Sequence, residues 1–402
     1  MKLLIYCHHF APSVGGLETA VQLLADGLAK MRTANGEPEF EVTLTTPYPQ
    51  GNFDDRGLSF RVVRRPSYLT LLGLIRRADV VHVSGPALAP LFLAWCVRTP
   101  AVIEHHGYQA VCPNGLLLQQ PAATVCPGHF MSRDYAECLR CFAHSYSWPA
   151  SIAKLLTMFP RRFFTNRVAA NLAISRHLME RQRLPRTEVI YYGIQFPNPN
   201  SSETFASRSS QRLTFAYVGR FVQEKGVAVL LRAAAVLQKE GRSFSVLLIG
   251  DGEQRAELEE FVHRENLDDT VRITGYLKGD QLAVEFRCVD VLVMPSLCEE
   301  TAGLAAIEQM VRGRLVIASA IGGLAEIVEG AGVTFPAGDV VALAGRMRAV
   351  IDNPAQFQGL ALSSQIRARE LFRVQRMIDE HADVYRRVGL AKARGERLEI
   401  TG

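Results

Sequence analysis

Thr214-Phe215-Ala216-Tyr217-Val218-Gly219-Arg220-Phe221-Val222-Gln223-Glu224-Lys225-Gly226 decides how the chain is read. A short β-branched and aromatic run meets a glycine turn carrying two cations, and a helical pattern follows. In open α/β sheets ligands bind outside the carboxyl ends of the strands, and Arg220 and Lys225 stand at such an end, five residues apart. A guanidinium fork pairs bidentately with phosphate oxygens, and a neighbouring ammonium adds a point charge able to stabilise a departing diphosphate. The alternative for this pair is a solvated loop.

The same rhythm extends in both directions. Downstream, strands are predicted over 245–249, 271–273, 289–294 and 315–318, each followed by glycine and a helical segment. Upstream, strands are predicted over 3–6, 41–45, 60–63, 80–83, 101–104, 169–174 and 188–191. Between the first two, Leu17, Val21, Leu24, Leu28 and Met31 mark one apolar helix face. This alternation predicts an α/β protein built of parallel βα units covered by helices on both faces. Pro197-Asn198-Pro199-Asn200-Ser201-Ser202 interrupts it, and the chain stays polar through Ser210. Two doubly wound domains are therefore expected, 1–195 and 212–370, joined by a linker at 196–211. A last segment, 371–402, belongs to a long helical pattern running from about Ile366 to Val388 and is expected to pack back toward the first domain.

The 402 residues suffice for two buried cores, and 48% hydrophobic with 21% charged residues excludes disordered and fibrous classes. The longest apolar run, Ala87 to Val97, has eleven residues including Pro90, short of the ~20 that span a bilayer. The first ten residues lack a long apolar region and a small-residue cleavage site and read as the first strand of a cytoplasmic protein. Net charge is +5 but uneven, with +7 on residues 1–195 and −2 on the rest. No acid lies between Glu137 and Glu180, where Arg140, Lys154, Arg161, Arg162, Arg167 and Arg176 fall. Such a patch suits an anionic partner, lipid headgroups or a phosphorylated acceptor; a solvated basic face is the alternative. Within 151–168, Ile152, Leu155, Leu156, Met158 and Phe159 alternate with cations as in interfacial helices. An ordinary core helix interrupted at Pro160 is the other reading. Nucleic acid is not an expected partner.

Three glycine turns, at Gly15-Gly16, Gly219 and Gly322-Gly323, precede helical segments, where a close backbone and exposed N–H groups favour phosphate. No Gly-x-Gly-x-x-Gly fingerprint follows the first strand. Glu300 and Glu308, with seven residues between them, fall in the turn after strand 289–294 and on the next helix. Carboxylates there suit sugar and ribose hydroxyls.

Gly15-Gly16-x-Glu18, Gly219-Arg220 with Glu224-Lys225-Gly226, Gly250-Asp251-Gly252, Gly275-Tyr276, Pro295-Ser296 with Glu300-x7-Glu308, and Gly322-Gly323 with Glu326 together resemble the retaining group 1 glycosyltransferases of the GT-B fold. The resemblance covers nearly the whole chain and is strongest in the second half. It implies two Rossmann-like domains facing each other across a cleft that holds a nucleotide-diphosphate sugar, with the C-terminal helix crossing back. The implied activity is hexosyl transfer to an acceptor hydroxyl with retention and without a catalytic metal. Polysaccharide, glycolipid or other glycoconjugate biosynthesis is the setting, with UDP favoured over GDP and the acceptor a glycan or lipid-linked sugar. The enzyme would work in the cytoplasm, at the inner membrane face.

By position, the resemblance implies that Arg220 and Lys225 bind the diphosphate, Glu300 the transferred sugar, Glu308 the ribose, and the backbone of Gly275, Tyr276 and Leu277 the base. Gly16, Gly303, Leu304 and the Gly322-Gly323 amides would lie near phosphates and sugar. His106, in Glu104-His105-His106-Gly107, matches the family's active-site histidine, with His105 beside it. The implied mechanism is a front-face displacement in which the leaving phosphate oxygen takes the acceptor proton. Double displacement with Glu300 as nucleophile competes, and hydrolase chemistry with paired carboxylates ranks third. A sugar-nucleotide epimerase, a phosphorylase and a catalytically silent sugar-nucleotide-binding scaffold are the alternative functions. Four positions depart from the family pattern: Ala302 replaces an aromatic, Gln309 an alanine, Leu315 a proline, and Tyr192-Gly193 an Asn-Gly.

Cys112, Cys126, Cys138 and Cys141 cluster in a Pro/Gly-containing insertion at about 108–150. In a reducing compartment this set reads as a structural zinc site, with His129 or His144 able to replace one ligand; labile disulfides and unmodified thiols are the alternatives. A loop ordered by metal there would shape the acceptor side.

Overall fold

The computed structural model describes residues 1–13, 15–196 and 212–394, so the expected linker lies, beyond Phe196, outside the described residues. Along the chain run β1 (Lys2–Cys7), β2 (Glu41–Thr46), β3 (Arg61–Arg64), β4 (Val80–Ser84), β5 (Ala101–His105), the short hairpin β6 (Leu118–Gln119) and β7 (Thr124–Val125), β8 (Ala170–Ala173) and β9 (Thr187–Val189). They are followed by β10 (Leu213–Val218), β11 (Phe244–Ile249), β12 (Val271–Gly275), β13 (Val291–Met294), β14 (Leu315–Ser319) and β15 (Val333–Phe335). The chain divides into two compact units. One comprises Met1–Leu117, Pro127–Ile194 and Phe372–Gly402; the other comprises Leu118–Cys126 and Gln195–Leu371.

The first unit is built on a parallel sheet ordered β3-β2-β1-β4-β5-β8-β9. Buried on both faces, β1 reads as a continuous apolar run rather than an alternation. On one face Leu3, Ile5, Val42 and Val102 pack against Val21, Leu24 and Leu28 of helix Gly16–Lys30 and against Met377, Ile378 and Tyr385 of helix Val374–Arg394. On the other, Leu4, Tyr6, Val81 and Ile103 meet Leu71, Ile75, Leu91 and Phe164.

The second unit repeats the plan, its parallel sheet ordered β12-β11-β10-β13-β14-β15. Phe215, Tyr217, Val246 and Val291 face Val227, Leu230 and Leu231 of helix Val227–Lys239, while Ala216, Leu247 and Ile249 face Phe286 and Val289. Strand β15 was not expected from sequence. It has three residues, too few for a periodic signal, and is specified by its ladder with β14, Ile317↔Val333 to Ser319↔Phe335.

The single long helix expected from Ile366 to Val388 is corrected to two, Gln358–Leu371 and Val374–Arg394. Tertiary contact breaks it. The Ile194 N–H donates to the Phe372 carbonyl at 2.9 Å, and Arg373 forms a parallel bridge with Ile194. That pairing demands extended backbone, which overrides helix propensity.

Helix Trp148–Thr165 runs through Pro160 without a break. Of the apolar residues expected to form one stripe, Leu155 and Met158 belong to a small core with Phe130. Trp148, Ile152, Leu156, Phe159 and Phe163, spaced four, four, three and four residues apart, are exposed instead, beside exposed Phe92 and Trp95. The Trp95 and Phe163 rings meet edge to face at 6.2 Å, which joins the two groups into one surface. Among the described residues no helix is long and apolar enough to cross a membrane.

Candidate active site

In the second unit, backbone hydrogen bonds stitch together the turns at the strand ends. Gly219 donates to Ile249 O at 3.0 Å, Phe221 to Asp251 O at 2.8 Å, and Gly250 to Gly275 O at 2.9 Å. Leu297 N donates to Glu224 O at 2.9 Å, joining the Arg220–Lys225 turn to the turn after β13. Gly226 permits this closeness. It has φ +65°, and a Cβ there would lie 2.0 Å from the Pro295 carbonyl oxygen.

The result is a three-residue polar centre. Lys225 Nζ lies 2.6 Å from Glu300 Oε1, and Ser296 Oγ donates to the same oxygen at 2.6 Å. Burial opposes the charge on Lys225, yet the Glu300 carboxylate raises its pKa above the ordinary value. Burial pushes the Glu300 carboxyl up, but Lys225 first and then Ser296 and Arg220 hold it below the ordinary value. Both groups therefore stay ionised at neutral pH. The Gly323 N–H donates to Glu300 O at 2.6 Å, so the start of helix Gly322–Val328 is anchored to the same residue. Cys298 is no rival nucleophile, because burial pushes its thiol up to about 12.

Arg220 is within electrostatic reach of Glu300, pairs with Glu224 at 3.6 Å, and keeps a 69% exposed side chain able to swing onto a ligand. Glu308 is not drawn into this centre. It sits on helix Leu304–Val311, whose first turn follows Gly303, and burial raises its carboxyl above the ordinary value against the opposing charge of Arg312. Gly275 ends β12, Tyr276 is exposed, and Leu277 packs on the Phe286 cluster. The departures Ala302, Gln309 and Leu315 are all buried.

In the first unit, Gly16 opens helix Gly16–Lys30, and Ser13 Oγ donates to Glu18 Oε1 at 3.1 Å. The structure separates the two adjacent histidines. His105 is wholly buried, its Nε2 2.9 Å from Asn171 Oδ1 on β8. His106 keeps a 9% exposed side chain and stacks against Tyr192, its Nδ1 2.5 Å from the hydroxyl. Burial lowers both imidazoles to about 4, so both are neutral at pH 7.

Sequence reasoning missed the surroundings of His106. Glu104, only 3% exposed, lies within 3.5 Å of imidazole nitrogens of His82, His106 and His381. The adjacent Glu104-His105-His106 was a signal for one of these partners; His381 carried none. Tyr192, noted only as a departure from the family pattern, is the hydroxyl partner of His106.

The zinc expectation for Cys112, Cys126, Cys138 and Cys141 finds no support in the structure. Among the described residues no three His, Cys, Asp or Glu side chains form a group able to hold a metal ion. Helix Tyr135–Ala143 turns Cys138 into the apolar core of Phe130, Leu155 and Met158. Asn114 engages two of the other thiols, with Cys112 Sγ donating to its Oδ1 at 2.9 Å and its Nδ2 4.0 Å from Cys141 Sγ.

Comparison with known proteins adds family and fold. The description "Glycosyl transferases group 1" matches residues 212–353. 2-Deoxystreptamine N-acetyl-D-glucosaminyltransferase of Streptomyces fradiae is 30% identical over 353 residues, 82% of this chain and 81% of that protein. 2-Deoxystreptamine glucosyltransferase of Streptomyces kanamyceticus is 36% identical over 187 residues, so the match spans 45% of that relative's length and 45% of this chain. Among solved structures, sucrose-phosphate synthase from Thermosynechococcus elongatus matches with TM-score 0.70 and 22% identity over 97% of this chain and 99% of that one. Anabaena HepE in complex with UDP-glucose matches with TM-score 0.68 and 17% identity over 95% and 98%. These structural likenesses show a shared GT-B fold.

Proposed function

Because the chain belongs to the group 1 glycosyl transferases, we propose that it moves a hexose from a nucleoside diphosphate, UDP in preference to GDP, to an acceptor hydroxyl with retention at the anomeric carbon. The observation that carries this reading is the Lys225–Glu300–Ser296 centre at the strand ends of the second unit. It pairs a partly buried ammonium, suited to a leaving diphosphate, with a carboxylate suited to sugar hydroxyls. Relatives whose names specify glucosyl and N-acetylglucosaminyl transfer support a hexose, and the UDP-glucose complex of a fold neighbour supports UDP.

Donor binding falls to residues 212–370 and acceptor binding to 1–195. Lys225 and Arg220 neutralise the diphosphate, so that charge development on the leaving group is met by protein cations without a metal ion. Glu308 holds the ribose and the Gly275–Leu277 backbone the base, with Gly303 and Leu304 beside the sugar; Gly16 and His106 are the candidates in the first unit. Glu300 acts by hydrogen bonding rather than as nucleophile. Its Oε1 accepts from both Lys225 and Ser296, which draws charge from the whole delocalised carboxylate and makes either oxygen a weaker nucleophile. The acceptor proton then leaves on the departing phosphate oxygen, in a front-face displacement whose barrier is lowered by positioning and electrostatics.

The acceptor is a sugar hydroxyl of a glycan or glycolipid, reached at an anionic membrane surface on the cytoplasmic side. The exposed stripe from Trp148 to Phe163, flanked by Lys154, Arg161, Arg162 and Arg167, has the form of an interfacial helix. A second reading, a soluble aminocyclitol acceptor, is favoured by the Streptomyces fradiae relative, whose likeness extends over 82% of this chain.

Thermal unfolding with UDP, GDP, ADP and CMP tests the donor. A ligand at 100-fold its Kd stabilises the folded state by about 2.7 kcal/mol. Selective stabilisation by UDP, followed by turnover of a UDP-hexose in the presence of EDTA, is expected. No response to any nucleotide would overturn the donor reading, and stabilisation without turnover would favour the silent scaffold. Acceptor panels of lipid-linked glycans and of 2-deoxystreptamine then separate the two acceptor readings.

A further inference from the structure

We propose that Glu104 is a positioning residue for His106: together with Tyr192 it sets the tautomer and ring plane of that histidine and ties it to the C-terminal helix. The inference rests on the reading of His106 as a residue of the transfer site. Glu104 stands near the end of β5, buried to 3%. A carboxylate there needs compensation, since an unpaired buried charge costs several kcal/mol. Three imidazole nitrogens lie around it, and a proton on a nitrogen that faces the carboxylate supplies the compensation. His82 of β4 and His106 place Nε2 at 3.5 Å from Glu104 Oε2, and His381 of helix Val374–Arg394 places Nε2 at 3.4 Å from Oε1.

Each imidazole is fixed at its other nitrogen. Tyr385 Oη lies 2.8 Å from His82 Nδ1. His381 Nδ1 is 2.8 Å from the Met377 carbonyl, which can only accept, so that nitrogen carries a proton. His106 Nδ1 is 2.5 Å from Tyr192 Oη, and the two rings are parallel to within 5°. With the tyrosine hydroxyl donating to Nδ1, the neutral His106 imidazole carries its proton on Nε2, directed toward Glu104. Glu18 of helix Gly16–Lys30, His82 and His381 also lie in electrostatic reach of His106, Glu18 opposing and the two histidines adding to the lowering of its pKa by burial.

This arrangement has a chemical consequence. His106 Nδ1 faces the Tyr192 hydroxyl and Nε2, carrying the proton, lies 3.5 Å from Glu104 Oε2, so the ring offers no lone pair to an acceptor hydroxyl and acts by orientation and polarity. Glu104 and Tyr192 keep it there. The last helix of the chain, through His381 and Tyr385, supplies two of the groups that hold Glu104 and His82 in register.

Two-bond proton–nitrogen correlation spectra of the full chain labelled with 15N-histidine read the tautomer directly, with Glu104→Gln, Glu104→Asp and Tyr192→Phe as variants. The native chain is expected to show His106 as the neutral Nε2–H form. Glu104→Gln should mix the tautomers and lower kcat ~10-fold or more, the order seen when the partner orienting a histidine is removed, with donor KM little changed. Glu104→Asp should restore the Nε2–H form in part. Should Glu104→Gln fail to fold, Tyr192→Phe carries the test through the opposite nitrogen, where it should populate the Nδ1–H form. A native Nδ1–H tautomer, or variants that leave both tautomer and kcat unchanged, would overturn the proposal. Absence of sugar transfer by the native chain would count against the function proposed above, and the tautomer spectra would still decide the role of Glu104.

Discussion

Lys225 and Glu300, 75 residues apart in sequence, meet at 2.6 Å, and the oxygen they share also receives the Ser296 hydroxyl. The pair is a preformed charge couple. Under the proposed function, a diphosphate arriving at Lys225 would compete with Glu300 for the ammonium and leave the carboxylate available to sugar hydroxyls.

Lys225→Ala removes the only partner of opposite charge in direct contact with Glu300 among the described residues. Breaking a fully buried pair on one side typically costs about 3–5 kcal/mol and this partly buried one less, and loss of one group that stabilises the leaving charge costs about 10²–10³ in kcat. A lowered melting temperature by circular dichroism and a collapse of kcat with every sugar donor are expected. Unchanged turnover would remove Lys225 from the diphosphate site.

Intact-mass spectrometry of the chain mixed with donor should show no glycosyl adduct on Glu300, in the native protein or in an acceptor-starved reaction. A trapped adduct would establish double displacement instead.

Glu308 behaves in the opposite sense from Glu300. Burial raises its carboxyl above the ordinary value, so the folded state holds its proton more tightly than the unfolded chain, and its ionised form opposes folding at neutral pH. Glu308→Gln is therefore expected to melt no lower than the native chain. Its donor KM should nonetheless rise about tenfold or more, the weight of a hydrogen bond to a charged group. A lower melting point with unaltered KM would make the residue structural.

Acid should unfold the first unit early. An unfolded histidine takes a proton near pH 6.5, whereas burial lowers His105 and His106 to about 4 and lowers His82 as well. Between those values the unfolded state binds more protons, so stability present above pH ~6.5 is lost progressively as the pH falls to ~4. Glu104, which the neighbouring histidines hold well below the ordinary carboxylate range against its burial, extends the loss further into acid. Urea midpoints measured across this range should fall with pH. A midpoint constant down to pH ~4 would mean that these imidazoles titrate alike in both states.

Vesicle sedimentation tests the exposed stripe. The native chain should bind phosphatidylcholine vesicles containing phosphatidylglycerol, weakly bind phosphatidylcholine alone, and release as salt rises past the Debye screening range. Ile152→Asp with Leu156→Asp should abolish binding with little change in melting temperature, because both side chains are exposed. Equal binding by the double variant would assign this face another role.

Much of the fold was legible in the residue order. Twelve of the strands were located from local apolar runs, because a parallel strand buried on both faces advertises itself in consecutive residues such as Leu3-Leu4-Ile5. Arg220, Lys225 and Glu300 were legible because glycine turns at strand ends are local signals too. Three-residue β15 and the break at Phe372-Arg373 were not, since each depends on pairing with distant backbone. For the cysteine cluster, spacing alone does not say which face of a helix points into a core, as Cys138 does.

The sequence by itself determined two doubly wound units, their strand-end turns and the identities of the cations and carboxylates held there, all encoded within windows of a dozen residues. Only the tertiary structure decided which of those charges touch and what surrounds His106. Tyr385 reaches His82 across 303 residues of chain, and the stripe from Trp148 to Phe163 faces outward because Leu155 and Met158 face in. Periodicity fixes an element's type through local backbone geometry, whereas the partner of a buried polar group is chosen by whatever the completed fold brings within hydrogen-bonding range.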